Sequence, residues 1–220
     1  IGAESFLIDS SRMDFTQGQA IAAGMGFIIA GVAVYEAMVR SPLRHNGKVF
    51  GLILFAFLVF MSWFAFQIFS ARGAYIHVGA ILGTIMAGNV FLGIMPAQRA
   101  LVDAVQRDES PDPKYGAFAK LRSTHNNYFT LPLIFIMISN HYPMTYGHEF
   151  GWLVLVAIGF ISAFARHFFN LRNQGVSKPS ILVIAAIMLA ALAAAMVPAK
   201  IEAEKGEAVL TDAQAMTIIE

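Results

Sequence analysis

Two polar clusters bracket one apolar stretch, and they hold most of the side chains in this sequence that could do chemistry. The first runs Arg122-Ser123-Thr124-His125-Asn126-Asn127-Tyr128, the second Ser139-Asn140-His141-Tyr142-Pro143. Between them lie Phe129 to Ile138, ten residues of which only Thr130 is polar. A helix from His125 to Tyr142 would be about 27 Å long, close to the roughly 30 Å hydrocarbon core of a bilayer. One span would then carry a histidine and an asparagine at each membrane face. Polar groups beside lipid cost free energy unless they find partners, so an ordinary anchor does not look like this. The chain has no cysteine. That excludes disulfides, thiolate metal sites and covalent c-type haem within it, and leaves histidine as the main possible ligand. Clusters on opposite sides suggest a substrate arriving at one face and electrons or ions leaving at the other.

The rest of the chain must position these clusters, and its composition sets how. With 57% hydrophobic and 13% charged residues, a soluble domain could not cover its own apolar surface, so the class is an integral membrane protein. A net charge of +1, with no basic run, gives no surface for nucleic acid. Hydropathy divides residues 1–200 into about six transmembrane helices, near 16–39, 49–69, 74–95, 125–142, 150–168 and 179–198. The expected fold is an all-α, polytopic helix bundle. Ile1 to Ser5 carry neither an initiator methionine nor a basic n-region, so they are not a signal peptide, and a longer parent chain is expected. Residues 201–220 form a polar tail in which Thr211-Asp212 offers a helix start.

Along the first span, after a helix cap expected near Asp14, Gly18, Ala22, Gly26 and Ala30 recur every fourth residue as a stripe for close helix approach. Glu36 and Arg40 sit four apart and read as an interfacial ion pair without a chemical role. The second span is rich in Phe and contains Trp63, which reads as packing bulk, and His45 before it reads as solvated. In the third, Gly79, Gly83 and Ala87 form another close-packing stripe, His77 lies just inside one interface, and the deeper Asn89 reads as glue between helices. Pro96 is expected to end that span, with Gln98 to Asp108 continuing as an exposed amphipathic helix before the turn-rich stretch Glu109 to Lys114. Pro132 should kink the fourth span. His148 reads as solvated, and His167, beside Arg166, suits either anion binding or an interfacial role.

Basic residues orient the bundle. The loops after spans one, three and five hold eleven Lys and Arg, and the opposite side holds four (Arg12, Arg72, Lys200, Lys205). The positive-inside bias places both termini outside, in the periplasm of a Gram-negative cell. His77, His141 and His148 then fall at the outer face, and His45, His125 and His167 at the inner one.

Several of these stretches, in this order, resemble one family. They are Gly73-Ala74-Tyr75-Ile76-His77-Val78-Gly79-Ala80, Pro111-Asp112-Pro113-Lys114, Arg122 to Tyr128, Ser139 to Pro143 and Arg166-His167-Phe168-Phe169-Asn170. The family is the membrane domain of the bacterial cytochrome-c-linked urate hydroxylase, or urate oxidase. The likeness runs from the first residues through Arg172. Members typically have further helices ahead of the point where this chain begins, and end in a cytochrome c domain with a Cys-x-x-Cys-His haem site. Residues 201–220 would be the periplasmic tail or linker toward such a domain, which would carry haem c.

The resemblance implies an enzyme in the bacterial inner membrane that oxidises urate to 5-hydroxyisourate, a step of purine degradation, and passes the electrons to cytochrome c. Urate is a planar monoanion whose recognition calls for Arg and Asn side chains, and its oxidation calls for a base and an electron acceptor. His125, with Arg122, Asn126, Asn127 and Tyr128, is the candidate substrate cluster. The third span also looks faintly like helices of haem-binding and copper-resistance-type membrane proteins. His77 and His141, at similar depth, would then ligate one haem b iron, or copper in its place. A non-catalytic, haem-binding or accessory subunit of a respiratory complex is the alternative. A transporter would favour polar residues at mid-membrane depth and inverted repeats, and the sequence shows neither.

Overall fold

The computed structural model describes Asp9 and residues 12–196. The polar tail and its expected helix start at Thr211 lie outside the described residues. The described chain is helical, with no strand. The elements are α1 Gln17–Arg40, α2 Gly47–Ile68, α3 Ala71–Asn89, α4 Met95–Gln106, α5 Pro113–Ser139, the single turn α6 Pro143–Tyr146, α7 Gly151–Arg172 and α8 Ser180–Ala195.

Helix starts are set by side chains that accept from the orphan amides of the first turn. Thr16, not Asp14, caps α1, in a reciprocal box with Gln19. Asn46 accepts from Val49 to start α2, and Ser70 from Gly73 to start α3. Asp112 opens α5 by accepting from Lys114, with Pro113 in the first turn. The Lys114 ammonium, 2.6 Å away, also holds this exposed carboxylate below its usual range through a side-chain hydrogen bond.

Four described helices or continuous helical runs are long and apolar enough to cross a membrane: Gln17–Arg40, Gly47–Ile68, Ala71–Gln106 and Gly151–Arg172. The third run corrects the expected break at Pro96. A π turn, Val90–Ile94, splices α3 directly into α4, and Pro96 sits in the first turn of α4, where its missing N–H costs little. The fourth expected span also shifts. It begins at Pro113, twelve residues before His125, so the polar cluster lies mid-helix and not at a helix start. Pro132 stays within that helix.

α3 is the hub of the packing. His77 and Ile81 turn toward α1, where a methyl group on Gly24 would stand 2.6 Å from His77 Nε2 and one on Gly31 would stand 2.7 Å from Ile81. Gly79 and Gly83 turn toward α5, where a methyl on Gly79 would meet Ile136 at 2.6 Å. Gly79 and Gly83 of the α3 stripe thus pack as their spacing promises, while Ala87 is exposed. The α1 stripe does not: Gly18, Ala22, Gly26 and Ala30 are all exposed, with nothing near Gly18 or Gly26. Gly24, Phe27, Gly31, Tyr35 and Met38 form the buried face instead. α5 packs between α3 and α7, α2 rests on α3 and α7, and α8 lies on α7.

Candidate functional site

On α5, Arg122, His125, Asn126 and Phe129 follow the spacing that puts side chains on one helix face. That face meets Tyr35 and Glu36 near the end of α1, and Asn89 at the last residue of α3. Arg122 is fully buried, with 0% of its side chain exposed. Its two terminal nitrogens clasp Glu36 at 2.9 and 2.7 Å, and one of them also donates to Asn89 Oδ1 at 3.1 Å. The guanidinium lies 4.7 Å from the Phe118 ring centre, and its Nε has no hydrogen-bond partner. Glu36 keeps its expected partner Arg40, at 2.6 Å. The local pair is therefore real, but it is the outer half of a buried cluster, which corrects the reading of Glu36 as merely interfacial.

The cluster continues from Asn89. Its Nδ2 donates to Asn126 Oδ1 at 2.7 Å, and Asn126 Nδ2 donates to the Met86 carbonyl at 3.0 Å. Tyr35 Oη lies 3.0 Å from Asn89 Oδ1 and 2.8 Å from His125 Nδ1. The His125 ring stacks on Phe50, with centroids 4.7 Å apart and planes 11° from parallel. Two sides of the imidazole are thereby fixed, and its Nε2 has no protein partner.

That ring lines a groove of about 450 Å³ between α2, α5 and α7, with Val78 and Leu82 of α3 at its back. Its walls are apolar, with Phe50, Phe55, Phe135 and Phe160 prominent, and Thr124, His125, Tyr128 and Ser62 are its polar groups. Thr124 and Ser62 spend their hydroxyl protons on backbone carbonyls one turn back. Tyr128 shares a 2.6 Å hydrogen bond with His167 Nδ1 on α7. One residue away on each helix, Arg166 donates to Asn127 Oδ1 at 3.3 Å. Arg166 Nε and Asn170 Nδ2 are buried there without partners.

The outer histidines fare differently. His77 Nδ1 is 2.8 Å from the Gly73 carbonyl, its ring stacks 3.8 Å from Phe69, and its Nε2 end presses toward Gly24. His141 is exposed. His77 thus faces α1, and His141 lies just beyond the Ser139 end of α5. Among the described residues, no three histidine, aspartate or glutamate side chains cluster to hold a metal ion.

A family model described as "Urate oxidase N-terminal" matches residues 1–197. The chain belongs to the urate oxidase N-terminal family. No curated protein and no solved structure matches it.

In this urate oxidase N-terminal domain, the residues expected to meet substrate separate into two groups. His125 and Tyr128 reach the groove. Arg122 and Asn126 do not; their hydrogen-bonding capacity goes into the buried cluster. Asn127 is turned to Arg166. Tyr35 carries no signal in the sequence, and Glu36 shows there only its local partner Arg40, although a buried arginine in a membrane helix demands an acid and Glu36 is the only acid within the first span.

Gly93, in the π turn, is what lets Arg122 pass: a methyl group there would collide with Arg122 Cδ and Nε. Since Glu36 and Asn89 hold the guanidinium, it has no slack to yield. Gly93→Ala is expected to cost about 1–3 kcal/mol through this overpacking, read as a lower unfolding midpoint in detergent. An unchanged midpoint would mean that Arg122 can repack.

Proposed function

We propose that this domain is the urate-oxidising part of a membrane-bound, cytochrome-c-linked urate hydroxylase of the bacterial inner membrane. The reaction converts one urate monoanion and one water into neutral 5-hydroxyisourate, one proton and two electrons. The proton needs a base and the electrons an acceptor, which in this reading is cytochrome c. The observation that carries the proposal is His125. In a chain of the urate oxidase family, it is a clamped imidazole with one nitrogen unpartnered, at the polar end of a groove. Tyr128 beside it supplies a hydroxyl that can donate to a urate oxygen or accept from a urate N–H. Asn127 and Arg166, one residue outside that pair, offer donors for a planar anion.

In the same reading the bundle has six crossings, α5 and α8 joining the four long apolar runs, and both termini lie in the periplasm. Ten basic residues, the buried Arg122 set aside, then lie on the cytoplasmic side against four on the other. The Pro113 end of α5 then faces inward, the side from which urate would enter.

The test uses membranes containing the full-length protein, given urate and oxidised cytochrome c. Urate-dependent cytochrome reduction, with 5-hydroxyisourate formed at one molecule per two cytochromes, is the expected result. Urate consumption accompanied by hydrogen peroxide, or none at all, would overturn the proposal.

A further inference from the structure

We infer that Tyr35, Asn89 and Arg122 determine which ring nitrogen of His125 carries the proton, leaving Nε2 as the proton acceptor of the site. The inference deepens the urate reading, on which it rests only for what the base acts upon. The tautomer follows from the hydrogen-bond chain alone.

The chain has two ends whose chemistry admits one sense. At one end, a guanidinium can only donate, so the Asn89 side-chain atom 3.1 Å from Arg122 must be its oxygen. At the other end, the Met86 carbonyl can only accept, so the Asn126 atom 3.0 Å from it must be nitrogen. Asn126 then presents oxygen to Asn89, and Asn89 presents nitrogen, which closes the 2.7 Å contact between them correctly. Flipping either amide would set donor against donor or acceptor against acceptor. Both flips together would break both ends.

With Asn89 Oδ1 fixed as an acceptor, the hydroxyl of Tyr35 at 3.0 Å must spend its single proton there. Its oxygen is then an acceptor toward His125 Nδ1 at 2.8 Å, and only an Nδ1–H can satisfy it. A neutral His125 therefore carries its proton on Nδ1 and a lone pair on Nε2. A half-turn of the ring would keep its stacking on Phe50 but set a C–H against Tyr35 Oη, so the hydrogen bond at 2.8 Å selects this orientation. The logic is that of a catalytic histidine oriented by a hydrogen-bonded partner. Here the partner is a tyrosine, fixed in turn by a buried amide and a buried guanidinium. Tyr35, Asn89 and Arg122 are positioning residues; none of them reaches the groove.

The test is nitrogen-15 NMR of histidine-labelled protein, without urate, at a pH where the ring is neutral, with His125→Gln assigning the resonance. The wild type should show Nδ1 protonated and Nε2 bare. Tyr35→Phe keeps the ring shape and removes the acceptor, and should move the His125 signal toward the Nε2-protonated form. If that variant is turned over at all, kcat should fall roughly tenfold to a hundredfold with KM little changed, a share of the contribution ordinary for a positioned base. A wild-type spectrum showing Nε2 protonated would overturn the inference, whether or not the variant folds. So would a Tyr35→Phe spectrum identical to wild type. The Nδ1-protonated pattern in a protein that does not oxidise urate would uphold it and remove the urate reading instead.

Discussion

Glu36→Gln is expected to destabilise the domain by about 3–5 kcal/mol, the usual cost of removing one partner from a buried ion pair. The magnitude comes from what is left behind. Arg122 is wholly shielded from solvent and cannot shed its proton, so without the carboxylate its charge has only neutral acceptors and the face of Phe118. Arg122→Met is expected to cost less. It leaves Glu36 partly exposed and still paired with Arg40, and Asn89 Oδ1 still accepting from Tyr35. Unfolding in detergent, measured for both single variants and the double, tests the asymmetry. Equal costs, or a Glu36→Gln cost below about 1 kcal/mol, would show that the pair behaves like a surface salt bridge.

His125→Gln is expected to lower urate turnover by roughly 10²- to 10⁴-fold, the span that a positioned general base contributes. Glutamine keeps much of the volume against Phe50 and can still donate to Tyr35, but it cannot take up a proton. Stability should therefore change far less than activity. The comparison that gives the number meaning is Tyr128→Phe, which loses a hydroxyl at the groove and its bond to His167 but leaves the base in place. Steady-state kinetics with urate and cytochrome c would separate the two. A loss below tenfold for His125→Gln would move the base elsewhere. His167, already joined to Tyr128, would be the next residue to examine.

What the sequence makes legible follows from which interactions are local. The ends of the first, second and fifth spans come within a few residues of α1, α2 and α7, because hydropathy and caps act within one segment. The start of α5 is not legible because a polar run reads as a boundary, yet here the polar side chains of Arg122 and Asn126 are satisfied by α1 and α3 across the bundle. Glu36 shows the same limit. Its partner four residues on is visible in the sequence, while the more buried one is eighty-six residues away. Spacing also could not choose between two glycine-bearing faces of α1, since both repeat at helical intervals; the side chains of α3 make that choice. His125 stood out from the start, but its tautomer required the sense of every bond behind it.

The π turn has a consequence for how α3 and α4 share one rod. A helix advances about 100° per residue, so the surplus residue of a π turn rephases everything beyond it. Ala97 and Ala104, the small buried contacts of α4, face inward only with that surplus present, while Val102 and Val105 face outward. Shortening the turn by one residue would swing the apolar and charged sides of α4 around the bundle and carry Gly93 off Arg122. Residue count in this stretch is therefore as binding as residue identity, and a frame-preserving loss of one codon there would do more harm than most substitutions.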